Sequence, residues 1–218
     1  MEDSAMSRAR VLLADDHKIL GEGLQSLLEP EFDVVGIVED GRALVEVAEE
    51  LRPDVIVVDI SMPLLNGIEA ARHITKVNPA LKIVFLTMHA DVIYATKAFA
   101  AGAMGYVLKQ SAASELLAAI REALKGHIYV TPLIAKDLLR AYMDRSHAPP
   151  SPLPTLTPRQ REVMQLLAEG HSAKEVAAIL NISARTAEFH KYRAMEMLGL
   201  RTSAELIQYA IKHGIAAV

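Results

Sequence analysis

The stretch "VIVVDISMP" (residues 55–63) runs four apolar residues straight into Asp59, then through Ile60, Ser61 and Met62 to Pro63. A short, continuous apolar run bounded by a turn residue reads as a strand buried on both faces, as parallel sheets require. Burying an ionised carboxylate is costly unless something pairs with it. Asp59 is therefore either an incidental strand-end residue or a group that the fold delivers to a site.

Outward from it, "RVLLAD" (10–15), "FDVVGIV" (32–38), "DVIVVD" (54–59), "KIVFLT" (82–87) and "GYVLK" (105–109) read as five strands. Helical patterns alternate with them: "HKILGEGLQSLLE", "GRALVEVAEELR", "GIEAARHITKVN", "DVIYATKAFAAG" and "SAASELLAAIREALKG" (111–126), the last stopping at Gly126. This alternation predicts a doubly wound, five-stranded parallel sheet with helices on both faces. A further helix is expected at about 131–143. "HAPPSPLPT" (147–155) holds prolines at 149, 150, 152 and 154 and reads as a semi-rigid linker. The expected organisation is an α/β domain over 8–126, a linker helix and proline-rich segment over 127–154, and an all-α domain over 155–218.

Composition agrees with two small globular domains: 218 residues, 51% hydrophobic and 23% charged. The absence of cysteine excludes disulfides, thiolate metal sites and cysteine nucleophiles. The apolar runs are far short of a membrane span, and "MEDSAMSRAR" has no apolar signal core, so a cytoplasmic protein with no membrane partner is expected. Residues 1–125 carry 12 basic and 19 acidic side chains, whereas residues 155–218 carry 8 and 6. The acidic front and mildly basic back suggest different partners.

In open parallel sheets, sites form beyond the carboxyl ends of the strands. Asp15 and Asp16 follow the first predicted strand, Asp59 ends the third, Thr87 the fourth and Lys109 the fifth. Neighbouring carboxylates repel and raise each other's pKa, and a divalent cation relieves that. An all-oxygen donor set favours Mg²⁺ or Mn²⁺ over zinc. One carboxylate can then act as nucleophile toward a phosphoryl group, with the cation and Lys109 neutralising charge and Thr87 donating a hydrogen bond. A metal-dependent phosphatase would need a second carboxylate as general acid. Ser61 occupies the position two residues after Asp59, which argues against that reading.

"LLADDH", "VVDISMPLLNG", "LTMHAD" and "GAMGYVLK" follow one another in order, and residues 8–125 resemble a CheY-like receiver domain. The resemblance implies Asp59 as the aspartyl-phosphate site, Asp16 as a direct metal ligand, Asp15 acting largely through water, and the carbonyl of Ser61 as the third protein ligand. Thr87 and Lys109 would sense the phosphoryl group, and Tyr106 stands in the place of the aromatic rotamer switch. Pro63 and Gly67 would shape the loop after Asp59. Met88 and His89 are bulkier than the small residues many receivers carry there.

In the second half, Thr157, Pro158 and Gln160 predict a capped helix start, with Val163, Leu166 and Leu167 as its apolar stripe and Gly170 as its end. Ser172 and Glu175 start another helix, with Val176, Ile179 and Leu180 inward, and Ser183 caps a third over about 184–198. Short helices so closely spaced fit a helix-turn-helix. Ala187, His190, Ala194 and Met197 or Leu198 are assigned inward on the third. A last helix (about 202–213) carries Leu206, Ile207, Ala210 and Ile211, part core and part candidate dimer surface.

"LTPRQREVMQLLAEGHSAKEVAAIL" is similar to the LuxR-type DNA-binding domain. Ala187 and Ala194 stand where larger aliphatics are usual, and Glu188 where a basic residue is frequent. With the receiver in front, the chain resembles NarL/FixJ-type two-component response regulators. That resemblance implies a non-enzymatic regulator: a sensor histidine kinase phosphorylates Asp59, the chain dimerises, and it binds double-stranded promoter DNA. The candidate DNA contacts are Lys174, Arg185, Thr186, Glu188, Phe189, Lys191, Tyr192 and Arg193. The basic ones would meet phosphates, Glu188 a cytosine amino group and Phe189 a thymine methyl.

Overall fold

The computed structural model describes residues 8–145 and 156–216. The proline-dense stretch 147–155, expected to be the linker, lies outside the described residues.

Alternation along each strand sends successive side chains to opposite faces. On β1 (Arg10–Ala14), Val11 and Leu13 join one apolar cluster and Leu12 and Ala14 the other. Helices α1 (Lys18–Leu28) and α5 (Ala112–Leu124) cover the first cluster through Leu24, Leu28, Leu116 and Ile120. Helices α2 (Gly41–Leu51), α3 (Gly67–Val77) and α4 (Val92–Ala100) cover the second through Leu44, Ile68, Ile74 and Ala98. Each fully buried leucine or isoleucine of this kind contributes about 1.5–3 kcal/mol by leaving water. The remaining strands are β2 (Asp33–Val38), β3 (Val55–Val58), β4 (Lys82–Thr87), β5 (Gly105–Leu108) and β6 (Tyr129–Val130), all parallel, in the order β2-β1-β3-β4-β5-β6.

The sheet thus has six strands where the sequence predicts five. β6 is two residues long, pairs Tyr129 with Gly105 and Val130 with Tyr106, and is ended by Pro132. A two-residue edge strand has no run in which an apolar period can register. The following helix, α6 (Pro132–Arg145), packs back on the receiver-like core through the buried Ile134.

Strand ends turn into helices through local caps. Asp40 accepts from the amides of Arg42 and Ala43, Asn66 from Glu69, and Asp91 from Ile93. Such caps contribute about 1 kcal/mol each.

The second domain consists of α7 (Pro158–Ala168), α8 (Ala173–Leu180), α9 (Ala184–Leu198) and α10 (Ser203–Lys212). Both predicted capping boxes form, Thr157 with Gln160 and Ser172 with Glu175, and Ser183 caps α9 by accepting from Thr186. Ala187 and Ala194 are buried as expected, but His190, Met197 and Leu198 are only half-buried and Met195 is buried in their stead. Met195, next to Ala194, joins the cluster formed with Met164, Leu206 and Ala210. On α10, Leu206 and Ala210 enter the core while Ile211 stays 40% exposed.

Candidate functional site

The carboxyl ends of β1, β3, β4 and β5 lie side by side in the sheet, so the residues that follow them converge. Asp59 and Asp15 are each 3% exposed. The Lys109 ammonium lies 2.7 Å from Asp59 Oδ2 and 2.7 Å from Asp15 Oδ2, so one cation serves two buried carboxylates. Asp59 Oδ1 is buried with no hydrogen-bond partner. Burial pushes the Asp59 carboxyl above its ordinary pKa, with Lys109 opposing and Asp15 adding to the rise. Burial also works against the charge on Lys109, but its two carboxylates outweigh that and hold its pKa above the ordinary value.

Asp15, Asp16 and Asp59 place carboxylate oxygens within 4.8 Å of one another, together with a ring nitrogen of His17. His17 Nδ1 lies 2.8 Å from Asp16 Oδ1 and 3.1 Å from Asp15 Oδ1. His17 is not among the site residues expected from the sequence; its signal is adjacency to the acidic pair in "DDH". Asp16 and His17 are exposed, so the cluster opens to solvent on that side. The donor set is compatible with a hard divalent cation: carboxylates in excess of the single ammonium, one buried oxygen unpartnered.

The other expected residues ring the pocket. Thr87 is fully buried, and its hydroxyl oxygen accepts from the His89 amide at 3.3 Å. The Tyr106 side chain is fully buried, and its hydroxyl donates to the His89 carbonyl at 2.7 Å; burial raises its pKa well above the ordinary phenol value. His89 itself lies over the pocket: Nε2 is 2.8 Å from Ser61 Oγ, and the ring stacks on Tyr94 at 4.0 Å. Burial pushes the His89 imidazole below its ordinary pKa, so it is favoured neutral. Gly67 is needed here, because a Cβ at that position would overlap the Asp59 carbonyl oxygen. Its amide instead donates to the Ile60 carbonyl at 2.9 Å, which tightens the loop after Asp59.

The expected DNA-contact residues gather at the second site. Arg185, Glu188, Phe189, Tyr192 and Arg193 are exposed on α9, with Thr186 and Lys191 half-exposed, and Lys174 is exposed on α8. Phe189 and Tyr192 are 58% and 60% exposed, unusual for large aromatics on a helix without a partner. Arg193 is partly engaged by Glu196 at 2.6 Å.

A strand-end acidic pocket on a doubly wound sheet, followed by a helix-turn-helix with an open polar helix, defines a signal-receiving DNA-binding regulator. Residues 11–121 match the response regulator receiver domain family, and residues 154–210 match the LuxR family of bacterial regulatory proteins. The chain is 32% identical over 224 residues to the transcriptional regulatory protein DegU of Brevibacillus brevis, covering 95% of each chain. It resembles the solved RcsB response regulator of Salmonella typhimurium (30% identity, 95% of this chain and 99% of that one, TM-score 0.65). It also resembles RcsB from Salmonella enterica serovar Typhimurium bound to promoter P1flhDC with the phosphomimetic BeF3⁻ (30% identity, 93% and 98%, TM-score 0.61). The chain belongs to the two-component response regulators that join a receiver domain to a LuxR-type DNA-binding domain.

Proposed function

We propose that Asp59 accepts a phosphoryl group from a partner histidine kinase or a small phosphodonor, and that this modification controls promoter binding through α9. The observation that carries the reading is the Lys109 ammonium, 2.7 Å from both Asp59 and Asp15 at the bottom of one pocket. An oxygen of Asp59 forms the new bond to phosphorus as the bond from phosphorus to the donor's nitrogen or oxygen breaks, and the leaving group takes the electron pair. Lys109 moves from the carboxylate to the phosphoryl oxygens, and the Thr87 hydroxyl donates to them. Tyr106 and His89 follow the movement of Thr87 because His89 is bonded to both residues. Asp15, Asp16, Asp59 and the Ser61 carbonyl are the residues that would hold Mg²⁺ or Mn²⁺. Such a cation supplies charge neutralisation during the transfer.

In this reading the receiver spans 8–126, residues 127–154 connect it to the effector, and 155–218 form the DNA-binding domain. Lys174, Arg185, Thr186, Glu188, Phe189, Lys191, Tyr192 and Arg193 supply the DNA contacts. The solved RcsB dimers bound to DNA support a dimeric DNA-bound form here. Among the described residues no helix is long and apolar enough to cross a membrane, which accords with a cytoplasmic regulator.

The test is selection of DNA from a random pool, with and without acetyl phosphate and Mg²⁺, using wild type and Asp59→Ala. Enrichment of one sequence only by phosphorylated wild type is the expected result. Equal enrichment by Asp59→Ala with phosphodonor would refute phosphorylation control.

A further inference from the structure

The loop between β3 and α3, which carries Asp59 at one end and the Ser61 carbonyl within it, is held by side chains of the other domain. Gln165 on α7 is 1% exposed. Its Oε1 accepts from the Asn66 amide at 2.8 Å and from Asn66 Nδ2 at 3.1 Å, and its Nε2 donates to the Met62 carbonyl at 3.1 Å. Glu169, one turn further along, accepts from Gln165 Nε2 at 2.7 Å and from the Leu64 amide at 3.2 Å. Leu64 has φ +63°, a left-handed conformation uncommon for a side chain of its kind. Its side chain packs against the cluster formed by Val163, Leu166, Val176, Leu180 and Ala187 of the DNA-binding domain. The effector thus grips the backbone of residues 62, 64 and 66 in a strained form.

We infer that Gln165 and Glu169 are positioning residues for phosphorylation at Asp59: their bonds fix the acceptor loop in the form that opposes it. This rests on Asp59 being the phosphoryl acceptor. The gripped loop coexists with a Lys109 ammonium bonded to Asp59 and Asp15 themselves. A phosphoryl group on Asp59 and a cation on the same acids compete for those oxygens and engage the Ser61 carbonyl, one residue before the gripped Met62. If phosphorylation loosens the grip, linkage requires that the grip disfavours phosphorylation by the same factor.

The test uses the full chain as wild type, Gln165→Met and Glu169→Gln. Gln165→Met keeps the volume and removes every loop bond from that side chain. Glu169→Gln leaves a neutral amide at the milder contact and serves if the first variant folds poorly by circular dichroism. Phosphoryl incorporation from acetyl phosphate is followed on phosphate-affinity gels over a Mg²⁺ series, and Mn²⁺ affinity is measured separately by electron paramagnetic resonance. Gln165→Met should lower half-saturating Mg²⁺ and tighten Mn²⁺ by about fivefold or more, the lower end of ordinary coupling factors, with Glu169→Gln shifted less in the same direction. Values within twofold of wild type for a folded variant, or a shift to weaker binding, would overturn the inference. Absence of any incorporation in wild type would instead remove the phosphoryl-acceptor reading on which it rests.

Discussion

Replacing Lys109 by methionine keeps most of the side chain and removes its charge. Its ammonium is 2.7 Å from two carboxylates that are each 3% exposed, so the substitution leaves two buried acids sharing no cation. Removing one partner from a buried pair costs about 3–5 kcal/mol. At about 2–4 °C per kcal/mol for a chain of this size, its unfolding transition should fall by roughly 10 °C. The loss has a defined pH dependence. Burial already lifts the Asp59 carboxyl above its ordinary pKa, and Lys109 is the largest opposing influence. A group whose folded pKa exceeds its unfolded one contributes stability that is complete below the unfolded pKa and lost as pH rises through the folded one. Without Lys109 the folded pKa climbs further, so the deficit is smallest in acid and grows toward neutrality. Mg²⁺ should restore part of it, since a ligand of the folded state at 100 times its Kd adds about 2.7 kcal/mol. Wild type should gain less at equal Mg²⁺, because its ammonium competes for the same oxygens. Differential scanning calorimetry of both proteins in chelator and in Mg²⁺, across a pH series, measures each quantity. A variant within about 2 °C of wild type in chelator at neutral pH would show that the acids do not depend on that ammonium.

Three further outcomes are expected. Ser183→Ala removes the α9 cap and should cost the DNA-binding domain about 1 kcal/mol, read by chemical denaturation, with weaker DNA binding alongside. Arg185→Ala and Lys191→Ala should each reduce the slope of log affinity against log salt by about 1 while leaving base preference unchanged, measured by fluorescence anisotropy. Glu162 is buried between the domains with Arg42, His73 and Arg159; burial opposes its charge, but the His73 and Arg159 hydrogen bonds prevail and lower its pKa from 4.5. A depressed carboxyl contributes stability present above the unfolded pKa and lost as pH falls through the folded one, so the domains should separate as pH drops below about 4.5, seen as a larger radius in small-angle X-ray scattering.

The strand-end pocket was legible because a parallel sheet announces itself twice. Its interior strands are apolar on both faces, and its sites lie past their carboxyl ends, so Asp15, Asp59, Thr87 and Lys109 could be placed together from order alone. β6 escaped because two residues carry no period. His17 escaped because its ring is turned onto the acids by the loop after β1, where its amide donates to Asp15 Oδ1 at 2.9 Å, a matter of backbone geometry. The interdomain grip was hidden for a different reason. On α7, Glu162 and Gln165 lie off the apolar stripe of Val163, Leu166 and Leu167, and patterning cannot separate a polar residue facing water from one bonded to another domain. Met195 shows the same limit inside a domain: which residue beside Ala194 turns inward depends on packing and not on period.

The contacts between the domains constrain how a signal can reach DNA. Arg42 and His73 reach Glu162, Glu69 meets Arg161, Asn66 meets Gln165 and the Ile215 carbonyl, and Lys97 donates to the His213 carbonyl. Among the described residues no hydrogen bond or ion pair between the domains involves α9, whose Arg185, Glu188, Phe189 and Tyr192 face solvent. The receiver therefore leaves the outer face of α9 open in this arrangement. What the contacts fix is where α9 points relative to the receiver. A two-fold dimer reads half-sites about one helical turn apart only if both recognition helices can reach successive major grooves. With only 8 basic against 6 acidic side chains in residues 155–218, one module has few charges to spend on phosphates. In the proposed dimer, affinity would depend on the second module binding at the high effective concentration that pairing supplies. On the proposed function, release of the grip on α7 would act on that second step, raising affinity for paired half-sites while leaving that of a single module for one half-site nearly unchanged.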